Sequence, residues 1–173
     1  HGDFPSLAYA AVIAGHLRGW RRLKGWEGPM GFVPKTAISV LVPARNEEAN
    51  IARVLAGFPE DMVIVVDDHS EDRTAEIARE MDVRVIEAPA LAAGHKGKPN
   101  ACMAGAQATE AEWLLFVDAD TTYARVFLPS LLRYAEEEDL DMVSVFLRQE
   151  TVTLAEKILL PSTFALYFTG VNA

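Results

Sequence analysis

The stretch that decides the fold is "AISVLVPARNEEANIARVLAGF", residues 37–58. Its first part, residues 37–44, is rich in β-branched and apolar side chains and stops at Pro43, which predicts a strand. In the second part, apolar residues recur at the spacing of one helix face, which predicts a helix over residues 47–58. The folded part of the chain therefore begins with a strand followed by a helix.

The same alternation continues along the chain. The run "DMVIVVDDHS", residues 61–70, predicts a second strand, after which Ser70 is expected to cap a helix. Further strands are predicted over residues 83–88, 112–119 and 141–147, with helices around 99–109 and 128–135. Strands that are apolar on both faces and alternate with helices predict an α/β domain with a mainly parallel central sheet flanked by helices.

Composition narrows the classes of protein that this chain can be. With 173 residues, half of them hydrophobic, it is long enough for one domain with a sizeable core. A net charge of −9 argues against nucleic acid as a partner, so a site for polyanions would have to be local. The single cysteine excludes an internal disulfide and a metal site built from several cysteines.

Carboxylates collect where the predicted strands end. Asp67 and Asp68 end the second strand, and Asp118 and Asp120 end the fourth. Because the carboxyl ends of parallel strands meet at one edge of a sheet, and ligands bind there, we expect these acids to lie close together. An acidic edge of this kind is favourable only if something positive binds to it.

The segment "LLFVDADT", residues 114–121, places two carboxylates after a buried run. In an extended chain Asp118 and Asp120 would project to the same side, and oxygen ligands of this kind suit Mg²⁺ or Mn²⁺. Two acids with one residue between them are common at ordinary surface turns. The apolar run before them favours a metal site.

Local positive charge is supplied by two other segments. The glycine-bracketed "GHKGKPNA", residues 94–101, carries Lys96 and Lys98 just before a predicted helix, which suits a phosphate group. The segment "PARNEEAN", residues 43–50, supplies Arg45, which could pair with a phosphate or with the acids at the sheet edge.

The two ends of the chain differ in character from its centre. Residues 1–26 join an apolar run to basic residues and tryptophans, which predicts a membrane-proximal segment or, equally, a helix packed on the domain. Residues 27–36, with their glycines and prolines, are expected to be a linker before the folded domain, which spans residues 37–150. The apolar residues 151–173 are expected to begin a membrane-interface region.

Taken together, "SVLVPARNEEANI", "VIVVDDHSEDRT", "GHKGKPNA" and "LLFVDADT" form a recognisable series. With these motifs in this order, the chain resembles family 2 glycosyltransferases of the GT-A fold over roughly residues 37–150. The continuation over residues 146–168 is most similar to the membrane-associated branch that glycosylates carotenoid acids and to hopanoid-associated members.

The resemblance implies that residues 37–150 form a nucleotide-sugar-binding GT-A domain and that residues 151–173 begin an acceptor or membrane-interface region. It also implies a pocket for the nucleotide sugar. Its residues would be Pro43, Ala44, Arg45, Glu47, Asp67, Asp68, Lys98, Asp118, Ala119 and Asp120. In it, Asp67 would read the base with Asp68 close by, and Lys98 would approach the phosphates. Asp118 would contact the ribose or sugar, and Asp120, together with Asp118, would hold Mg²⁺ or Mn²⁺.

The resemblance also implies a reaction. A sugar would move from a UDP- or GDP-sugar to a lipid-like or other apolar acceptor, with inversion at the anomeric carbon, at the cytoplasmic face of the cell membrane. We expect the general base and the acceptor half to lie beyond Ala173. Two alternatives stay open: a nucleotidyltransferase, although residues 43–50 lack its glycine-rich loop, and a non-catalytic module that binds a nucleotide or nucleotide sugar.

Overall fold

Strands and helices alternate in the structure, a computed structural model that describes residues 36–90, 97–145 and 153–156. The strands are β1 (Ile38–Ala44), β2 (Val63–Asp67), β3 (Arg84–Glu87) and β4 (Trp113–Phe116). The helices are α1 (Ile51–Leu55), α2 (Thr74–Glu80), α3 (Gly97–Gln107) and α4 (Phe127–Glu137), with a short 3-10 turn at Glu60–Met62.

The four strands of the described residues form one parallel sheet in the order β3-β2-β1-β4. Ala44 at the end of β1 lies opposite Asp67 at the end of β2, so the two strands end at the same level. The predicted α/β class with a parallel sheet is confirmed. β2 and β3 lie on one side of β1, and β4 lies on the other, so the order in which strands are added to the sheet reverses at β1. Folds of this kind bind ligands at such a reversal point.

The centre of the sheet is covered on both faces. Leu41 of β1 and Val66 of β2 are fully buried in the cluster that α3 contacts. Val40 and Val42 point to the opposite face, because side chains alternate along a strand, and they are also 0% exposed. Burial on both faces explains why the sequences of β1 and β2 are nearly continuous apolar runs.

The predicted fifth strand is wrong for the residues that can be described. Residues 141–145 form no strand, and residues 146–147 lie outside the described residues. Met142 is 83% exposed and Val145 is 45% exposed, so these apolar side chains lack the cover that a strand of the sheet would have. Apolar composition alone therefore gave the wrong element here.

The first helix is shorter than predicted, and the cap expected at Ser70 is absent. Residues 47–50 form turns, and α1 begins only at Ile51. The backbone N–H groups of Glu47 and Glu48 donate to the side chains of Thr74 and Asp72. Ser70 accepts a hydrogen bond from that same region, and α2 begins later, at Thr74.

The structure tests few of the predictions made for the two ends of the chain. Residues 1–26, nearly all of the expected linker and most of residues 151–173 lie outside the described residues. Within residues 153–156, Thr153 and Glu156 exchange hydrogen bonds between side chain and backbone, as in a helix capping box. None of the helices that can be described is both long and apolar enough to span a bilayer.

Candidate functional site

A cleft of about 350 Å³ opens where β1, β2 and β4 end. Its lining residues are Pro43, Ala44, Arg45, Glu47, Asp68, Lys98, Ala101, Asp118, Ala119 and Asp120. The structure therefore brings together every site residue that the resemblance implies except Asp67, and adds Ala101. The cleft lies at the carboxyl ends of the strands, where the parallel topology predicts a ligand site.

The loops that follow β1 and β2 are bonded to each other. We call residues 45–50 the first loop and residues 68–73 the second loop. The N–H of Asn46 donates to Oγ of Ser70 at 3.0 Å, and the N–H of Glu71 donates to Oδ1 of Asn46 at 2.8 Å. These reciprocal bonds fix one side of the cleft, because neither loop can move without breaking bonds to the other.

Glu48 belongs to this contact and does not start α1. Its N–H donates to Oδ2 of Asp72 at 3.1 Å, and its Oε2 accepts from the N–H of Arg73 at 3.2 Å. Asp72 also accepts from the N–H of Thr74 at 3.0 Å. Although desolvation raises the pKa of Asp72, hydrogen bonds from Thr74 and from Glu48 hold that pKa below its ordinary value.

Two carboxylate oxygens at the end of β2 are buried without a donor. Oδ1 of Asp67 and Oδ1 of Asp68 accept no hydrogen bond from any residue in the described part of the chain. Asp68 is 7% exposed, and its Oδ2 lies 3.8 Å from Nη1 of Arg45. Asp67 lies beside the cleft lining, with its Oδ2 accepting from the N–H of Ser70 at 3.4 Å. Buried acceptors of this kind suit a base N–H or a ribose hydroxyl.

The paired acids stand on a turn and not on an extended strand. The strand β4 ends at Phe116, and residues 118–121, which we call the acidic turn, fold back. Thr121 closes the turn, with its N–H at 3.4 Å and its hydroxyl at 2.6 Å from the backbone oxygen of Asp118. Ala119 is 6% exposed. Asp118 and Asp120 are exposed and line the cleft, so the acids share a target although the predicted extended geometry is wrong.

Lys98 brings positive charge to these acids. It stands in the first turn of α3, and its Nζ donates to Oδ1 of Asp118. The hydrogen bond to Asp118 raises the pKa of Lys98, with a smaller contribution from Asp120. An exposed ion pair contributes little to stability, so Lys98 is free to exchange Asp118 for a phosphate at small cost. Lys96, the other predicted cation, lies outside the described residues.

The donor set of the cleft fits a hard divalent cation that a substrate helps to hold. Within residues 36–90, 97–145 and 153–156, no group of three His, Cys, Asp or Glu side chains converges on one point. Asp118 and Asp120 nevertheless face the same cleft. Mg²⁺ and Mn²⁺ are commonly held by one or two carboxylates, with water and phosphate oxygens completing the shell. Asp118 and Asp120 therefore suit a metal that arrives with a diphosphate.

Sequence reasoning missed Ala101 and the contacts of Thr74. Ala101 is 0% exposed and lines the cleft from α3. No sequence signal distinguishes Ala101 from the alanines around it. Thr74 accepts a hydrogen bond from the N–H of Glu47 at 2.8 Å, a pairing between residues distant in sequence that only the assembled sheet creates.

Comparison with known proteins gives a family match over most of the chain. Residues 39–165 match the family model described as Glycosyl transferase family 2. A 4,4'-diaponeurosporenoate glycosyltransferase of Staphylococcus haemolyticus is 43% identical over 117 residues, which are 64% of this chain and 31% of that protein. Protein RfbJ of Shigella flexneri is 33% identical over 117 residues, which are 65% of this chain and 86% of RfbJ.

Solved structures give the same result for the fold. Glucosyl-3-phosphoglycerate synthase of Mycobacterium tuberculosis is 30% identical with a TM-score of 0.51, covering 57% of this chain and 40% of that one. The same enzyme has been solved with UDP, at 29% identity, a TM-score of 0.51 and coverage of 62% and 46%. It has also been solved with Mn²⁺, UDP-glucose and phosphoglyceric acid. The chain thus spans less than half the length of this enzyme and about a third of the staphylococcal relative.

Proposed function

Because the chain belongs to glycosyl transferase family 2, we propose that it binds a nucleotide-sugar donor and serves in transferring its sugar to an oxygen atom of an acceptor. The observation that carries the proposal is the cleft at the sheet edge, where Asp118 and Asp120 stand beside Lys98 and Arg45. Acids and cations in one cleft suit a diphosphate that binds together with a metal ion.

The diphosphate part of the donor is proposed to lie between α3 and the acidic turn. Lys98 would exchange its bond to Asp118 for a phosphate oxygen, and Asp118 and Asp120 would hold Mg²⁺ or Mn²⁺. When bound there, the ion would offset negative charge on the departing nucleoside diphosphate. The structure of the mycobacterial relative with Mn²⁺ and UDP-glucose supports this choice of ion and donor.

The nucleoside part is proposed to lie at the end of β2. Oδ1 of Asp67 and Oδ1 of Asp68 have no donor among the described residues, and rotation of each side chain toward the cleft would offer that oxygen to a base N–H or a ribose hydroxyl. UDP is the favoured nucleotide because the mycobacterial relative has been solved with it. A GDP-sugar remains the alternative donor, since guanine also offers N–H donors to a carboxylate.

The acceptor is proposed to be lipid-like or otherwise apolar. The similarity to 4,4'-diaponeurosporenoate glycosyltransferase supports this class, because the name of that enzyme contains a carotenoid acid. Transfer by one displacement at the anomeric carbon would invert its configuration. An apolar acceptor of this kind would be reached at a membrane surface. We propose that this surface is the cytoplasmic face, because basic residues occur among residues 18–26.

Calorimetric titration of the full chain tests donor binding. We expect UDP to bind, and to bind more tightly with Mn²⁺ than without it, whereas GDP and dTDP bind more weakly. Asp120→Asn should lower the affinity for UDP with Mn²⁺ by about tenfold or more, since it removes a charged ligand of the metal. Asp61→Asn is the matched control, because Asp61 precedes β2 at the opposite edge of the sheet.

Incubation with UDP-glucose, Mn²⁺ and a carotenoid acid then tests transfer. Release of UDP together with formation of the glycosylated lipid supports the proposal. If none of the three nucleoside diphosphates binds, the proposed donor site is wrong. If UDP binds but no UDP is released with acceptor present, residues 1–173 bind the donor without transferring its sugar by themselves.

A further inference from the structure

The acidic turn is tied to α1 by an arginine that the cleft lining does not include. Nη2 of Arg53 donates to Oδ1 of Asn50 at 2.9 Å and to the backbone oxygen of Asp120 at 3.5 Å. The bond to Asn50 fixes the guanidinium on its own helix. Arg53 thereby links the backbone of a turn after β4 to the helix after β1, which are distant in sequence.

A second contact fixes the chain just after the acidic turn. A Cβ atom placed on Gly57 would lie 2.7 Å from the backbone oxygen of Tyr123 and 3.0 Å from its Cβ, so no larger residue fits without movement of backbone. The ring of Tyr123 is 5.0 Å from that of Phe58 and 5.0 Å from that of Phe127, measured between centroids. Tyr123 is 8% exposed. The chain is therefore held at Asp120 itself and again at Tyr123.

We propose that Arg53 and Gly57 are positioning residues that set where the carboxylate of Asp120 stands for a metal-bound diphosphate. This inference rests on the proposed function. Asp120 is itself exposed, so its side chain gains a defined place only through the backbone that bears it. Small displacements of a group that binds the reacting ligand are costly, and rigid support by neighbouring elements prevents them.

The proposal predicts a loss confined to the metal-dependent part of nucleotide binding. The measured quantity is the ratio of UDP affinities with and without Mn²⁺ in the full chain. Arg53→Ala and Gly57→Ala should each lower this ratio by about five- to tenfold, and leave the affinity without metal unchanged. Arg53→Lys should recover part of the ratio, because its ammonium can still donate to the oxygen of Asp120.

Two control variants separate positioning from general destabilisation. Arg79→Ala removes an exposed arginine from the last turn of α2. Gly105→Ala strains the core, since its Cβ would lie 3.0 Å from Cγ2 of Val66 and 3.3 Å from Cδ2 of Leu41, which are side chains of the sheet and not of the acidic turn. Both should keep the metal ratio of the parent. An equal fall in Gly105→Ala would overturn the proposal, as would an unchanged ratio in both Arg53→Ala and Gly57→Ala.

Amide hydrogen exchange without ligand gives a reading that does not depend on nucleotide binding. Peptides covering residues 117–124 should exchange at least about fivefold faster in Arg53→Ala and Gly57→Ala than in the parent, while peptides from β1 do not change. Equal exchange over residues 117–124 in the parent and in both variants overturns the positioning role. If UDP fails to bind the parent, the proposed function falls, and the exchange rates still decide whether Arg53 and Gly57 hold the turn.

Discussion

Lys98 and Asp118 form an ion pair that joins the start of α3 to the acidic turn. The carboxylate in this pair is one of the two that are proposed to hold the metal. A cation already bound to Asp118 lowers the repulsion between Asp118 and Asp120 while no ligand is present. When a diphosphate with its metal binds, each partner of the pair would gain a new partner of opposite charge.

Replacing Lys98 should therefore weaken nucleotide binding. Lys98→Met removes the charge while keeping much of the length of the side chain, and we expect about tenfold weaker binding of UDP by calorimetry. Lys98→Arg keeps the charge and should stay within about threefold of the parent. Equal affinities of the Met and Arg variants would show that the charge of Lys98 does not contribute to binding.

Asp72 should make the chain more stable at neutral pH than in acid. Its pKa in the folded protein is below the ordinary value of 3.8, so its contribution is present above that value and is lost as the pH falls through the folded pKa. In Asp72→Asn, urea unfolding midpoints should fall less between about pH 7 and pH 3 than in the parent. Parallel pH curves for the two proteins would contradict this role.

The reactivity of the single cysteine, Cys102, should report on the positive charge of Lys98, which lies on the same helix. Burial raises the pKa of Cys102, and the positive charge of Lys98 partly opposes that effect. Alkylation by iodoacetamide at about pH 8 should be slower than for an unstructured cysteine peptide, and slower again in Lys98→Met. Mass spectrometry measures the rate, with Lys98→Arg as the control that keeps the charge. Faster alkylation in Lys98→Met would contradict the assigned effect of Lys98.

Leu41 should be among the most sensitive positions of the core. It is 0% exposed and lies between the sheet and α3, so Leu41→Ala should lower the free energy of unfolding by about 3 kcal/mol. Met103, on the same helix but 60% exposed, provides the comparison, and Met103→Ala should change that free energy by less than about 0.5 kcal/mol. Denaturant titration of the two variants distinguishes these outcomes.

The sequence predicted the parts of the fold that depend on local pattern. The apolar runs of β1 and β2 predicted strands that are buried on both faces. The acids at the strand ends predicted that these ends lie at one edge of the sheet. Bonds between distant segments could not be predicted this way. The side chain of Thr74 accepts a hydrogen bond from the backbone N–H of Glu47 only because β1 and β2 are neighbours in the sheet.

The acidic turn shows the same limit at the candidate site. Its two acids were predicted to face one target, and they do line one cleft. The route was different, because Thr121 bonds back to Asp118 and turns the chain just after β4. The assumption of an extended strand therefore predicted the common location of the two acids correctly but their backbone conformation incorrectly. For residues 141–145 the prediction of a strand rested on apolar composition alone, which fits several kinds of structure equally well.

The bonds between the first and second loops bear on how this domain could be recombined with a relative. The side chains of Ser70 and Asn46 each accept a hydrogen bond from a backbone N–H of the other loop, so the two loops should be exchanged together. A chimaera whose junction falls between residues 50 and 68 would separate these partners and leave donors and acceptors unmatched. Junctions placed after residue 74 would transfer both loops together and keep the bonds between them.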